Sequence, residues 1–146
     1  MPSLYTEIEI NAARSQIWQI LIAKERWKYW NTFLFDCDPN RPFIQGRDVS
    51  LSTLRSPGED EVQFCPIVTL VQPNYCLKWL STIPGIQNEH VFELLDIGVN
   101  QTRFSYQQNF SGTFARFLLP FIRQDERKGI QRMAWELKRY AEKQGS

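Results

Sequence analysis

His90 is the only histidine in the chain, and it heads an alternating run, His90-Val91-Phe92-Glu93-Leu94. An imidazole titrates near neutrality. Three roles fit it: general acid–base catalysis, a hydrogen bond to a bound molecule, or a purely structural hydrogen bond to a neighbour such as Gln108 or Tyr106. Tyr106 stands in a second alternating run, Thr102, Phe104, Tyr106, and its hydroxyl needs a partner if the ring is buried. A catalytic base works with a partner acid or nucleophile, and none flanks His90, which weights the pair toward binding rather than turnover. No Gly-x-Ser-x-Gly and no phosphate-cradling glycine pattern occurs, so hydrolase and nucleotide-binding chemistry are set aside.

The other reactive side chains give less. Cys37, Cys65 and Cys76 have no CxxC neighbour, and with one histidine a zinc site is not expected. Their odd number fits thiols, read as buried small apolar residues. Asp36, Asp38 and Asp48 are broken up by prolines and lack the spacing of a metal loop, so they read as solvated loop charges, and no metal is expected. Arg123, Arg127, Lys128 and Arg132 form a basic side of the last helix with Asp125 and Glu126 beside it. A solvated face is the first reading and contact with an anionic membrane surface the second. Trp135 lies about 200° around that helix from Met133, where it packs on a loop or marks a partner surface.

The elements that must position His90 and Tyr106 follow from periodicity. Leu4, Thr6, Ile8 and Ile10 alternate with Tyr5, Glu7 and Glu9, which predicts a half-buried first strand. Asn11 is a candidate N-cap for a helix carrying Ile17, Trp18, Ile20 and Leu21, and a second short helical segment covers Lys24 to Trp30. About six antiparallel strands should follow. Turns fall at Pro57-Gly58, Pro73-Asn74, Pro84-Gly85 and Gly98-Val99-Asn100, and Pro66 suggests an edge or bulge in the run Val62 to Leu70. In the last hairpin, paired residue numbers should sum to about 198, setting His90 opposite Gln108, Phe92 opposite Tyr106 and Leu94 opposite Phe104 on one inward face. The opposite face is polar, with Glu93 and Arg103 placed to pair diagonally. Last comes a long amphipathic helix with Phe114, Phe117, Leu118, Phe121 and Ile122, then Ile130, Met133, Ala134, Leu137 and Ala141 at i, i+3, i+4, i+7 spacing. Pro120 should end one helical turn or begin the next helix.

The chain of 146 residues is read as one domain spanning 1–146, long enough to bury a core without disulfides or metals. A net charge of +1 gives no argument for nucleic acid. No stretch approaches the roughly 18 apolar residues of a membrane span, and Met1 to Ile10 lacks the pattern of a signal peptide, so a cytoplasmic protein is expected. Strands grouped together with helices at the ends indicate α+β, most simply one curved antiparallel sheet wrapped around the C-terminal helix.

This order resembles the SRPBCC or START-like superfamily, the helix-grip fold, and within it the polyketide cyclase/dehydrase-like branch. Ile10-Asn11-Ala12 leading to Ile17-Trp18, the stretch Trp30-Asn31-Thr32-Phe33, and Val68 with Pro73, Leu77 and Trp79 carry the resemblance. So do His90-Val91-Phe92-Glu93-Leu94 with Phe110-Ser111-Gly112, and Gly129-Ile130 with Met133 and Leu137. In two places the chain departs from the family pattern: Thr32 replaces a proline, and Asn109 stands where relatives carry a glutamate, which favours binding over catalysis.

The resemblance implies a cavity between sheet and helix, in a family whose ligands include lipids, sterols, polyketides and plant hormones. On the sheet it would be lined by Phe64, Leu77, Trp79, His90, Phe92, Phe104 and Tyr106. Phe117, Phe121, Ile130, Met133 and Leu137 would line it from the helix. The expected function is binding of a hydrophobic or amphipathic, lipid- or polyketide-like small molecule, with no cofactor. Two rivals stand beside it. One is a polyketide cyclase or dehydratase using His90 as acid and base. The other is a partner-binding protein with a filled core, whose sign would be an exposed aromatic patch near Trp27, Trp30 or Trp135.

Overall fold

Alternation makes the first element. In β1 (Ser3–Ile10), Leu4 and Ile10 are buried while Tyr5, Glu7 and Glu9 face out. The computed structural model describes the backbone of residues 3–54 and 58–144, and the side chains of all of these except 83, 116 and 118–123. Helix α1 (Arg14–Ile22) buries Ile17, Trp18 and Leu21 and is followed by a 3₁₀ segment, Lys24–Tyr29, that carries Trp27 into the core. Asn11 does not cap α1, as its position suggested. The helix starts after Ala13 without a side-chain cap, and the Asn11 N–H instead donates to the Glu142 carboxylate at 2.9 Å, tying the end of β1 to the last helix.

Among the described residues, seven strands follow. β2 (Leu34–Asp36), β3 (Leu51–Thr53) and β4 (Val62–Phe64) form a three-stranded antiparallel sheet. β5 (Ile67–Gln72), β6 (Cys76–Ile83), β7 (Ile86–Gly98) and β8 (Gln101–Ser111) join β1 in a five-stranded sheet of order β1-β8-β7-β6-β5. Pro66 neither edges nor bulges a single strand. It lies between β4 and β5, so the apolar run from Val62 to Leu70 divides between two sheets at the residue that has no N–H to continue a ladder. Proline 57 of the expected Pro57-Gly58 turn lies outside the described residues.

The β7–β8 register agrees with the expectation: His90 pairs with Gln108, Phe92 with Tyr106 and Leu94 with Phe104. The loop is one residue tighter than the sequence suggested. It holds Val99 and Asn100, the latter at φ 50, with a register shift between Asp96 and Gly98. Arg103 does not pair with Glu93. Its guanidinium lies 3.8 Å from Glu9, the residue directly across from it on β1.

Helix α2 (Ala115–Gln144) is continuous through position 120, so Pro120 does not end it. Proline there is the sixth residue of a thirty-residue helix and forgoes one bond of its ladder. Ile130, Met133, Ala134, Leu137 and Ala141 are buried, and α2 packs chiefly on β1 with β8 beside it. The result is the expected α+β arrangement, a curved antiparallel sheet of five and three strands gripping the C-terminal helix.

Several surface readings change. Only Cys76 is buried; Cys37 and Cys65 are exposed, and all three are free thiols. Asp36 is not a solvated loop charge: its carboxylate accepts from Lys24 Nζ at 2.6 Å, and both side chains are nearly inaccessible. Arg132 leaves the basic face to donate to the Leu54 carbonyl at 2.9 Å and the Thr32 hydroxyl at 2.9 Å. Trp27 and Trp30 are buried, whereas Trp135 is 52% exposed. Among the described residues, no helix is long and apolar enough to cross a membrane.

Candidate functional site

Three rows of paired residues cross the inward face of β6, β7 and β8. Leu77, Phe92 and Tyr106 form the first, Trp79, His90 and Gln108 the second, and Ser81, Asn88 and Phe110 the third. The pleat puts every second side chain of a strand on this face, so the rows alternate with outward residues such as Lys78, Val91 and Gln107. The first row is aromatic and apolar, with the Phe92 and Tyr106 ring centroids 4.1 Å apart. Trp79 stacks on His90 at 5.1 Å, and Phe64 lies against the imidazole at 6.2 Å.

A hydrogen-bonded cluster occupies the second and third rows. His90 Nδ1 lies 2.7 Å from the Tyr106 hydroxyl, and His90 Nε2 lies 3.1 Å from Asn88 Nδ2. Asn88 Nδ2 also donates to Gln108 Oε1 at 3.2 Å, and Gln108 Nε2 donates to the Tyr106 hydroxyl at 3.2 Å. An amide N–H opposite Nε2 requires that nitrogen to accept, which leaves the imidazole proton on Nδ1. The Tyr106 oxygen then accepts from both His90 and Gln108, and its own proton is left for a third group. Burial, reinforced by the charge of Glu126, pushes the Tyr106 phenol well above its ordinary pKa, with the Gln108 bond acting the other way. Tyr106 therefore stays protonated at neutral pH and acts as a donor.

Three polar atoms beside this cluster are buried and have no hydrogen-bond partner: Trp79 Nε1, Ser81 Oγ and Asn88 Oδ1. All belong to the second and third rows. Asn31 Nδ2, three residues before β2, and Thr53 Oγ1, on β3, are the other such atoms among the described residues. The interior between sheet and helix is thus apolar at one end and incompletely paired at the other.

No family model matches the chain, and no curated protein matches it in sequence. Solved structures do match its shape. A START superfamily protein of Mycobacterium smegmatis superposes with a TM-score of 0.73 at 15% identity, covering 97% of this chain and 98% of the other. Norcoclaurine synthase of Thalictrum flavum, in complex with dopamine and hydroxybenzaldehyde, does so with a TM-score of 0.71 at 15% identity, covering 99% and 88%. A protein of Chromobacterium violaceum gives 0.75 at 10% identity, covering 97% and 99%.

The fold is START-like.

Within this START-like frame most of the expected lining residues come together. Leu77, Trp79, His90, Phe92, Phe104 and Tyr106 are buried on the inward face of the sheet, and Phe64 is half-buried at its margin. Ile130, Met133 and Leu137 are buried on α2 in the same core. Phe117 is not among them: it is 71% exposed near the start of α2. The Phe121 side chain lies outside the described residues. Asn109 faces outward on β8 and donates to Glu89 at 3.2 Å, so its identity does not act on the interior. Thr32 uses what a proline lacks. Its N–H donates to Glu136 at 3.0 Å, its hydroxyl donates to the same carboxylate at 2.7 Å, and that oxygen accepts from Arg132.

The sequence pattern passed over Ser81, Asn88 and Glu126. Strand parity reaches the first two, since Ser81 follows Leu77 and Trp79, and Asn88 precedes His90 and Phe92. Glu126, only 4% exposed, sits one turn before Ile130 on the same stripe. Reading it with its basic neighbours, rather than with the apolar spacing, put it on the wrong face.

Proposed function

We propose that the chain binds a hydrophobic or amphipathic small molecule between the curved sheet and α2. The observation that carries this reading is the His90–Tyr106 pair, held with Asn88 and Gln108 at one end of an interior otherwise built from Phe92, Phe104, Leu77, Ile130 and Met133. Small-molecule sites have this character, mostly apolar walls with a few placed polar groups. Burial of apolar ligand surface would supply the affinity, at roughly 25 cal/mol per Å². The polar cluster would fix orientation. That norcoclaurine synthase, similar in fold, was crystallised with dopamine and hydroxybenzaldehyde supports a small-molecule reading.

Binding is favoured over acid–base chemistry by the state of His90. Both ring nitrogens lie at hydrogen-bond distance from protein groups, Nδ1 from Tyr106 and Nε2 from Asn88, which favours an orienting role. The partner-binding alternative is weakened by the burial of Trp27 and Trp30. Native mass spectrometry of the purified protein, followed by extraction of bound material, tests the reading. A noncovalent adduct, or uptake of the apolar dye phenylnaphthylamine, is expected. A clean apo mass with no uptake of the dye or of a lipid panel would overturn it.

A further inference from the structure

Buried polar atoms in folded proteins are nearly all hydrogen-bonded, because an unpaired one costs stability. Here three unpaired atoms occupy adjoining inward positions: Ser81 and Asn88 are partners across the β6–β7 ladder, and Trp79 is the next inward residue along β6. Their chemistries differ. The indole N–H of Trp79 only donates, the Asn88 carbonyl oxygen only accepts, and the Ser81 hydroxyl does either. The Tyr106 hydroxyl adds a donor next to the set.

We propose that this end of the interior is a head-group subsite for a neutral group that both accepts and donates hydrogen bonds, an alcohol or a primary amide. The inference rests on the reading that the interior binds an amphipathic molecule. An alcohol oxygen accepts from Trp79 Nε1–H and gives its proton to Asn88 Oδ1, with Ser81 bridging; a primary amide does the same through its oxygen and nitrogen. An ionised carboxylate has no proton to give to the Asn88 oxygen. An ammonium offers nothing to the Trp79 N–H. An ester accepts but cannot donate. The subsite therefore selects by counting donors and acceptors rather than by charge, as sites built from buried polar groups do.

The test uses the full chain loaded with phenylnaphthylamine at about pH 8, where carboxylates are ionised and alkylamines protonated. The dye is displaced by dodecanol, dodecanamide, dodecanoate, dodecylamine and methyl dodecanoate, which share one apolar tail. Dodecanol and dodecanamide should displace it about tenfold more tightly than the other three. Ser81→Ala and Trp79→Phe should each reduce that preference, referred to the variant's own dye affinity, to about twofold or less. Ser81→Ala should also leave the apo melting temperature unchanged or raised, because it deletes an unpaired atom; a merely structural serine would lower it. If Trp79→Phe does not fold, the Ser81→Ala result decides. A flat series with the dye bound, or a preference that survives Ser81→Ala, would overturn the subsite and leave ordinary water as the partner of these atoms. Absence of dye uptake, by contrast, would overturn the binding reading itself and the subsite with it.

Discussion

Gly129 of α2 lies against the face of Phe33 so closely that a Cβ on residue 129 would stand 2.2 Å from the ring's Cε1 and 2.4 Å from its Cδ1. The ring is fully buried, with the Arg132 guanidinium 5.9 Å from its centroid, so it has little room to retreat. A glycine in mid-helix costs about 1 kcal/mol relative to alanine, and close packing on Phe33 is what it gains.

Gly129→Ala should therefore destabilise the fold despite its better helix propensity. Overpacking of a well-filled core costs about 1–3 kcal/mol. Urea denaturation of the single variant should show a loss in that range. Adding Phe33→Leu should recover part of it, so that the two changes are not additive. Equal or greater stability of Gly129→Ala would refute the contact.

Lys24 and Asp36 form an ion pair out of water's reach, with Lys24 Nζ also donating to the Asp38 carbonyl at 2.8 Å. Removing one partner strands the other charge, so Lys24→Met should cost about 3–5 kcal/mol. The double variant Lys24→Met/Asp36→Leu should lie well above Lys24→Met in stability, since no buried charge is left. Thermal unfolding of the three proteins checks the ordering. A double variant as unstable as Lys24→Met would show that packing, not charge, dominates there.

How much of this the sequence carried follows from what kind of signal each residue leaves. His90, Phe92, Leu94, Phe104 and Tyr106 sit in long, regular alternation, and the turn between them has a short loop, so both face and register were legible. The stripe Ile130, Met133 and Leu137 was legible for the same reason. Lys24 and Asp36 were not: twelve positions apart, in short irregular elements, their pairing depends on how the 3₁₀ segment meets β2. Cys37 and Cys65 went wrong because thiols are usually buried, and loop residues need not follow that preference. Phe117 misled because apolar character alone does not say where a helix's buried face begins.

Tyr106 gives the fold a dependence on alkaline pH. Its phenol is held well above 10.0 in the folded chain, first by burial and then by Glu126, whereas unfolded it ionises at the ordinary value. The folded state binds this proton more tightly, so its contribution is fully present below pH 10.0 and declines as pH rises from there toward the raised folded value. Urea midpoints at about pH 8 and about pH 11 should fall more steeply for the wild type than for Tyr106→Phe. Parallel slopes would mean that Tyr106 ionises in the folded chain as freely as in the unfolded one.

The proton on His90 links the geometry to the binding reading. Asn88 Nδ2, at 3.1 Å from Nε2, is already committed to donation because it also serves Gln108 Oε1, so the imidazole must present a lone pair there and an N–H to Tyr106. A two-bond proton–nitrogen correlation spectrum should show the Nδ1–H tautomer at neutral pH, with Nε2 as the bare nitrogen. Asn88→Asp replaces the donor with an acceptor and should move or add a proton at Nε2. If the wild-type spectrum already shows Nε2 protonated, the Asn88 and Gln108 amides are turned the other way. Trp79 and Ser81 would then face an Asn88 nitrogen instead of its oxygen, and a purely accepting head group would fit the subsite better than an alcohol.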